Sequence, residues 1–540
     1  MKTLKFVRAA IFFMICGILP IIASADDTLW NLPYARPAKY NYTKYYASFL
    51  KTTLASDPGY LKREFAAGWT YYKSAFLMSN GLVNQMAGSG VNTTTAVSEG
   101  QGYGMLLALL NNDQTTFNKI FAAANTYMWN SSHNSYYNWK VVNSSASGQG
   151  AATDAELDIC LALIFADKLS QNSAITKWST YNSGGVTYSS RATQMLASIK
   201  NNMTSNNYLL PGDNWGSSGT SNLNPSYFAT GWMHVFDKYQ STYSFATVAT
   251  NCYTVLKARS AQWAKGQAPD WCTSSGGQAS SPQSGTTYSG LGMTDDACRV
   301  PWRICMDALW FDNSDAKTFC SNSRNTLSKY TQSASDGSAL LTQMAQYDAS
   351  QNAISSTAGS FHLIAMWLCG ALGSKDSAYV SQCVNYTLMK NICGTSSTGA
   401  FGDVSMSDQY YYYNQSLAML GFAALAGMFP NVLDDTIRTV NIAAPNMQKK
   451  SNEQFKGISV VQNRLSFTLP AAYDQSVSIA LFDMAGKKVF SRTLNNNAAF
   501  GRFDVSINKG LLCPGVYMTK ISAGFAGKNA AEYFSRIAWK

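Results

Sequence analysis

The chain has 540 residues, with 41 Lys and Arg against 30 Asp and Glu, so its formal net charge is +11. The charge is uneven: residues 441–540 hold 13 basic and 5 acidic side chains, whereas residues 26–440 hold 25 of each. A neutral main region argues against nucleic acid, whose binding depends on neutralising phosphates. Only three His, and no CxxC pair among the eleven Cys, argue against a zinc site, and no cofactor or metal is expected.

Residues 1–25 predict a secretory signal peptide. Lys2, Lys5 and Arg8 precede an apolar run from Ala9 to Ile22, and the Ala-Ser-Ala of residues 23–25 supplies a cleavage site. The run is shorter than the roughly 18 to 20 residues that span a bilayer, and no later segment is apolar enough. We therefore expect a bacterial protein that is secreted, extracellular or at the cell surface, without a transmembrane segment.

Residues 26–440 read as one large all-α domain whose helices are joined by loops rich in Gly, Ser and Asn. Its cysteines at positions 160, 298, 305 and 369 lie in apolar helical contexts, which predicts buried free thiols. The chain's 31 Tyr and 13 Trp offer flat faces that suit the apolar faces of pyranose rings. Apolar residues recur at helical spacing in Tyr103–Leu110, Phe117–Trp129, Glu156–Leu169, Tyr227–Phe236, Trp302–Trp310, Phe361–Leu372 and Gln409–Phe429.

Three acidic segments carry candidate chemistry. Glu99 lies in a Gly-rich turn that opens an apolar helix, where a helix-capping role is the alternative. Asp154 and Asp158 would share one face of the next helix, where like charges repel unless one is paired or functional. Asp296 and Arg299 are three residues apart at a predicted helix start, and a local salt bridge would also explain them.

Taken together and in order, these segments resemble those of glycoside hydrolase family 8. The resemblance covers roughly residues 30–430 and implies an (α/α)6 barrel for residues 26–440, with a long groove across one end. It also implies an enzyme that inverts the anomeric configuration. The segments that carry it are SEGQGYGM (98–105), NWKV (138–141), ATDAELDI (152–159), DNWG (213–216), NPSYF (224–228), PDW (269–271), DDACRVPWR (295–303) and YYYN (411–414).

The resemblance assigns catalytic roles by position. Glu99 would be the general acid, Asp296 the general base that activates water, and Asp154 the residue that holds the central sugar. Arg299 resembles the family's arginine beside the base, where its charge would keep Asp296 ionised. Asp295 is the fallback for the base, and Asp296 is preferred because it keeps the Asp-Ala-x-Arg spacing.

Aromatic residues are the predicted substrate contacts. Trp139 and Trp215 resemble stacking platforms for sugars, and Tyr227 resembles a residue near the central sugar or the water. Tyr412 and Tyr413 are predicted to reach the groove, and the run Tyr410–Tyr413 leaves open which of its members does so. For each of these residues, packing in the core is the alternative.

The resemblance and the predicted signal peptide together imply a secreted inverting endo-β-1,4-glycanase. We expect it to act as a monomer without a cofactor. The segments around Glu99 and Asp154 look more like the endoglucanase members, so cellulose-type glucan ranks first, xylan second and chitosan third. A polysaccharide lyase would need a groove for uronates, which the neutral domain does not suggest. A carbohydrate-binding protein that kept the barrel and lost catalysis is the alternative from outside the enzymes.

The composition changes near Val440. Residues 441–455 predict a linker, and residues 456–540 predict a small all-β sandwich. The segments 481–489 and 515–518 resemble the C-terminal secretion and sorting domains of exported Bacteroidetes-type proteins, so partners in secretion or surface attachment are expected, with a carbohydrate-binding module as the alternative. The predicted strands are Ser459–Thr468, Val477–Phe482, Lys488–Thr493, Gly501–Ile507 and Gly515–Ser522.

Overall fold

The chain folds as two units, Met1–Thr439 and Val440–Lys540. In the first unit the computed structural model describes residues 60–87, 94–132, 134–176, 178–214, 219–279, 290–331, 345–357, 361–375, 400–401 and 411–433. In the second unit it describes residues 456–461, 464–469, 477–482, 488–494, 501–507, 515–525 and 528–539. The predicted signal peptide, the predicted linker and Trp215 lie outside the described residues.

Six helices of the first unit form a closed inner ring, in which each helix packs on the next and the last packs on the first. Most of these helices are buried on nearly every side, and every side chain from Leu157 to Ala166 is fully buried. Close approach requires small residues, since a Cβ at Gly421 would lie 2.7 Å from that of Ala365. The ring consists of α2 (Ser98–Leu110), α4 (Thr153–Gln171), α6 (Thr230–Tyr239), α8 (Val300–Phe311), α10 (Phe361–Gly373) and α11 (Tyr412–Leu425).

An outer layer alternates with this ring along the chain. Its helices bury one face only, as in the helix that begins at Tyr188, where Ala192, Met195 and Ile199 face inward. Local caps set where two of them begin: Asp113 accepts a hydrogen bond from the amide of Thr116, and a capping box precedes Tyr188. The outer helices in the described residues are α1 (Tyr60–Phe76), α3 (Gln114–Tyr127), α5 (Tyr188–Asn202), α7 (Phe245–Ala258) and α9 (Ser314–Thr331), with single helical turns at Ser173–Thr176 and Ser260–Trp263.

The seven segments predicted as helical all overlap these helices, so the all-α prediction is confirmed and the arrangement fits an (α/α)6 barrel. The predicted thiols are also confirmed, because Cys160, Cys298, Cys305 and Cys369 are free and buried. In the part of the chain that the structure describes, no helix has the length and hydropathy to cross a bilayer.

Short antiparallel strands connect the helices of the first unit. The strand β1 (Thr95–Val97) leads directly into α2 and pairs with β4 (Lys140–Val142), which also pairs with β5 (Ser145–Gly148). This small sheet therefore joins the start of α2 to the segment that contains Trp139. The remaining pairs are β2 (Trp129–Asn130) with β3 (Tyr136–Tyr137), β6 (Thr204–Ser205) with β7 (Tyr208–Leu209), and β8 (Gln346–Tyr347) with β9 (Ala353–Ile354).

The second unit contains two antiparallel sheets in its described residues. One has the order β10-β11-β14 and the other β13-β12-β15-β16. A cluster of buried side chains includes Leu465 and Val505 from the first sheet and Ile479 and Ile521 from the second. The strands are β10 (Lys456–Val461), β11 (Arg464–Leu469), β12 (Val477–Phe482), β13 (Lys488–Leu494), β14 (Gly501–Ser506), β15 (Gly515–Phe525) and β16 (Lys528–Trp539).

Candidate active site

The inner helices begin at one end of the ring, and their first turns carry polar side chains. Glu99 lies in the first turn of α2 and Asp154 in the first turn of α4. A 3-10 turn at Pro225–Tyr227 precedes α6, and another at Ala297–Arg299 precedes α8. Residues far apart in the chain therefore meet where these helices start.

Arg299 joins all three of the predicted catalytic carboxylates. Its Nη1 donates to Oε1 of Glu99 at 2.5 Å and to Oδ2 of Asp154 at 2.7 Å. Its Nη2 donates to Oδ1 of Asp296 at 3.1 Å and to Oγ of Ser226 at 2.7 Å. The side chain is only 2 % exposed, so these bonds form away from bulk water. The planar guanidinium suits several acceptors at once, and the sequence had predicted only its contact with Asp296.

Glu99 sits in the drier part of the site, with 15 % of its side chain exposed. The hydroxyl of Tyr103 donates to Oε1 at 3.2 Å, and the hydroxyl of Tyr412 donates to Oε2. Burial raises the pKa of Glu99 to about 7; Arg299 opposes the rise and Asp154 adds to it. This carboxyl therefore keeps a proton at pH values where an ordinary glutamate is ionised.

Asp296 is the open member of the pair, with 36 % of its side chain exposed. Its Oδ2 accepts hydrogen bonds from Nδ2 of Asn224 at 3.1 Å and from Nε1 of Trp271 at 3.2 Å. Burial raises the pKa of Asp296 above its usual range, while the charge of Arg299 opposes that rise. The exposed oxygens leave room for water beside a carboxylate that donors on three sides stabilise.

Asp295, the fallback for the base, lies elsewhere. Its side chain is 70 % exposed and accepts a hydrogen bond from Nε2 of Gln346 at 2.5 Å, with Nε2 of His362 3.8 Å away. The hydroxyl of Tyr413 donates to its backbone carbonyl. The geometry therefore favours Asp296 over Asp295 as the carboxylate beside Arg299.

The acidic cluster at the start of α4 divides into separate contacts. Asp154 accepts from Arg299, whereas Asp158 forms a bidentate pair with Arg303, with both N–O distances at 2.9 Å. Both side chains of that second pair are fully buried, and Nε1 of Trp232 donates to Asp158 at 2.8 Å. The repulsion expected between Asp154 and Asp158 is thus relieved by two different arginines.

The predicted aromatic contacts have different surroundings. The ring of Tyr227 lies 5.4 Å from the guanidinium carbon of Arg299, and its side chain is 8 % exposed. Tyr412 and Tyr413 are 3 % and 8 % exposed, and their hydroxyls bond to protein atoms. Trp139 is partly exposed and packs on Gly148, where an added Cβ would lie 2.4 Å from the indole. Contact of these residues with substrate stays a prediction.

Sequence reasoning missed the residues that hold the base in place. Oγ of Ser226 donates to Oδ1 of Asn224 at 2.6 Å, and Asn224 donates to Asp296, so a closed circuit runs through Arg299 and back to Ser226. The circuit fixes which way the Asn224 amide points. The available signal was Asn-Pro at 224–225, which is typical of a cap before a helical turn.

Asp270 holds the backbone of the segment that contains Asp296. It is 6 % exposed, and its Oδ1 accepts from the amides of Thr294 at 2.9 Å and Ala297 at 2.8 Å. These bonds anchor the chain on both sides of Asp296. The residue stood in one of the resembling segments, but nothing in its local sequence predicted this long-range contact.

The site can supply an acid and a base together. One guanidinium bonds both Glu99 and Asp296, so their nearest oxygens lie no more than about 8 Å apart, which is compatible with the roughly 6.5 to 9.5 Å of inverting glycosidases. No group of three His, Cys, Asp or Glu side chains able to hold a metal ion occurs in the described residues. One of the two carboxyls can give a proton while the other takes one.

The pH dependence of kcat/KM should follow from these two carboxyls. With Glu99 as the predicted acid and Asp296 as the predicted base, the alkaline limb should fall near pH 7 and the acidic limb above the ordinary aspartate value of 3.8. Initial rates on a soluble β-glucan from pH 3 to pH 10 measure both limbs. An alkaline limb above pH 9 would contradict the assignment of the acid.

A buried carboxyl whose pKa is raised to about 7 and a more exposed one, held by one guanidinium at one end of a helical ring, fit the acid and base of a glycoside hydrolase. The family model described as Glycosyl hydrolases family 8 matches residues 39–427, and the chain belongs to that family. The predicted resemblance is confirmed for the main domain.

Two similar proteins carry the name endoglucanase. The chain is 35% identical over 326 residues to Endoglucanase 2 of Ruminiclostridium josui, a match that covers 58% of this chain and 63% of the relative. It is 30% identical over 448 residues to Endoglucanase A of Acetivibrio thermocellus, with 81% and 83% covered. The chain thus spans less than two thirds of the first relative and most of the second.

Solved structures share the fold. A reducing-end-xylose releasing exo-oligoxylanase has a TM-score of 0.55 at 18% identity, and the match covers 73% of this chain and all of that one. A β-1,3-1,4-glucanase from Paenibacillus sp. X4 has a TM-score of 0.54 at 22% identity, with 68% and 92% covered. At these identities the likeness extends to the fold alone.

Proposed function

We propose that this chain is an endo-β-1,4-glucanase that hydrolyses internal bonds of a cellulose-type glucan with inversion. The observation that carries the proposal is the shared guanidinium of Arg299, which places a proton-bearing Glu99 and an open Asp296 on one donor. The relatives named endoglucanases support a glucan as the substrate. Xylan is the second candidate, and the xylanase-like structural neighbour supports it only weakly.

The proposed reaction moves two protons, one from water to Asp296 and one from Glu99 to the leaving oxygen. Asp296 takes a proton from a water molecule while the oxygen of that water attacks the anomeric carbon. Glu99 gives its proton to the glycosidic oxygen as the bond from that oxygen to the carbon breaks. Asp154 holds the sugar between them, and Trp139, Trp215 and Tyr227 bind neighbouring rings. Because water attacks the face opposite the leaving group, a β-linked substrate yields an α-anomer first.

Two assays on the purified chain test this function. The first assay measures reducing ends and viscosity with four substrates: carboxymethylcellulose, mixed-linkage β-glucan, xylan and chitosan. The viscosity drops early in the reaction when cleavage is internal. Proton NMR of the first product then reports its anomer. Activity only on xylan would move the substrate to the second candidate, and a β-anomer appearing first would contradict inversion.

Two segments, residues 1–25 and residues 456–540, bear on the location of the protein. We propose export through the signal peptide of residues 1–25, and a β-sandwich for residues 456–540 that serves in sorting or attachment at the cell surface. The cluster that combines Leu465 and Val505 with Ile479 and Ile521 supports two sheets packed face to face. The net charge of +8 in residues 441–540, from 13 basic and 5 acidic side chains, suits an anionic surface. Comparing the mass of the chain in the culture medium and on the cells tests export and processing.

A further inference from the structure

Glu156 is a fully buried carboxyl next to the active site that the proposed reaction does not use. It lies two residues after Asp154 on α4, with 0 % of its surface exposed. Its Oε1 accepts a hydrogen bond from the amide of Tyr137 at 2.8 Å. Its Oε2 is buried and has no hydrogen-bond partner among the described residues. A charged carboxylate in that position would be expensive, whereas a neutral carboxyl is tolerated.

Arg191 supplies a positive charge that acts on Glu156, but its guanidinium is stacked on an aromatic ring. The guanidinium of Arg191 lies over the ring of Trp129, with 3.3 Å from its central carbon to the ring centroid, and its Nε and Nη1 have no hydrogen-bond partner within the described part of the chain. Buried oxygens without partners also occur on Asn138, Thr153 and Asp213, which lie on the segments around Glu156. The charges of Asp213 and Asp154 act on Glu156, and this concentration of carboxylates favours a proton on one of them.

The contacts of Glu156 lead to Trp139. Tyr137, whose amide Glu156 binds, is two residues before Trp139 in the chain. The backbone of Trp139 is bonded in turn to the start of α2, since the amide of Ser98 donates to its carbonyl at 3.0 Å, and its own amide donates to Gly150 at 2.9 Å. Glu156 thus ties the helix of Asp154 to the segment that places Trp139.

We propose that Glu156 is a positioning residue which, in its neutral form, holds the Trp139 edge of the substrate groove against the helix that carries Asp154. This inference rests on the proposed role of Trp139 as a sugar-binding platform. Burial raises the pKa of Glu156 to about 8, and Asp213 and Asp154 add to the rise while the Tyr137 amide and Arg191 oppose it. The groups that face it are Asp154 and Cys160 on its own helix, Tyr136 and Tyr137 on β3, Arg191 on α5, and Asp213.

Glu156→Gln tests the proposal by stability, without reference to catalysis. An unfolded glutamate ionises above about pH 4.5 while the native one stays neutral, so the native state of the wild type loses stability as pH rises toward 8. Glutamine can still accept from the Tyr137 amide and never ionises. The variant should therefore melt several degrees above the wild type at pH 8, and this gap should close near pH 4.5.

Kinetics test the positioning role. Between pH 7 and pH 9 the KM of the wild type on a soluble β-glucan should rise severalfold as Glu156 ionises, while that of Glu156→Gln stays flat. The kcat of both should fall together, because Glu99 governs it. Glu64→Gln on α1 is the matched control and should keep the wild-type KM profile.

The results distinguish the positioning role of Glu156 from the sugar-binding role of Trp139. A Glu156→Gln protein that melts below the wild type, by more at pH 8 than at pH 4.5, shows an ionised Glu156 and overturns the proposal. So does a variant that keeps the rise in KM. If Trp139→Ala leaves KM unchanged, the sugar-binding role of Trp139 fails, and the positioning role fails with it, while the melting curves still report the charge of Glu156.

Discussion

Glu99→Gln should lower kcat on a soluble β-glucan by about 10²- to 10⁴-fold, the usual contribution of a general acid. Glutamine keeps one acceptor oxygen for Arg299, while its amide nitrogen takes the place of the oxygen to which Tyr412 donates, and it has no proton to give to the leaving oxygen. The loss should be much smaller on an aryl glucoside whose leaving group departs without protonation. At pH values below 7 the melting temperature should not fall, because glutamine replaces a carboxyl that already carries a proton there. Equal losses on both substrates would contradict the role of acid.

A change at the proposed base, Asp296, should affect all substrates alike, unlike the change at Glu99. Asp296→Asn should cause a loss of similar size on every substrate, since water must be activated whatever the leaving group. Asp295→Asn is the matched control: it changes the same residue type one position away, on a carboxylate that faces Gln346 and not Arg299. Full activity in the first variant and loss in the second would transfer the role of base to Asp295.

Arg299→Met should be the most damaging single change to the site. It leaves Glu99, Asp154 and Asp296 close together without their shared cation, and breaking a buried ion pair in this way costs about 3–5 kcal/mol of stability. The loss should be largest near neutral pH and smaller near pH 4, where protonation of the carboxyls relieves their repulsion. Chemical denaturation at both pH values measures the difference.

Arg299→Lys separates the charge from its geometry. A lysine restores one positive charge but lacks the planar fork that reaches four acceptors, so stability should recover in part while kcat stays low. Arg63→Met, on the exposed side of α1, is the matched control and should leave both unchanged. Full activity in the Arg299→Lys variant would show that only the charge matters.

The sequence allowed prediction of features whose cause is local. The inner helices were predicted because apolar residues recur along them at helical spacing, and Glu99, Asp154 and Asp296 because each stands in a distinctive segment at a helix start. The second unit was predicted less well. The segment Ser459–Thr468 is two paired strands with Val461 opposite Arg464, and β16 was missed because its sequence has few β-branched residues.

The contacts that organise the site are not local. Arg299 reaches Glu99 across 200 positions and Asp154 across 145. No spacing rule predicts such contacts, because they exist only once the ring of helices has closed. The same applies to Asp270, whose carboxyl anchors backbone amides 24 and 27 residues away. Asn224 could have been recognised as a cap, but its second bond to Asp296 depends on the same closure.

The common direction of the inner helices has an electrostatic consequence. Each helix carries about half a positive elementary charge at its N-terminus, from peptide dipoles that add along the axis. Glu99 and Asp154 lie in first turns, where this field is strongest, so the backbone shares with Arg299 the task of balancing three acids. Dipoles fixed within a protein are screened by dissolved ions far less than exposed side chains are. The balance of charge around an uncharged sugar polymer is therefore set by the backbone together with the buried Arg299, and it should change little from fresh water to brine.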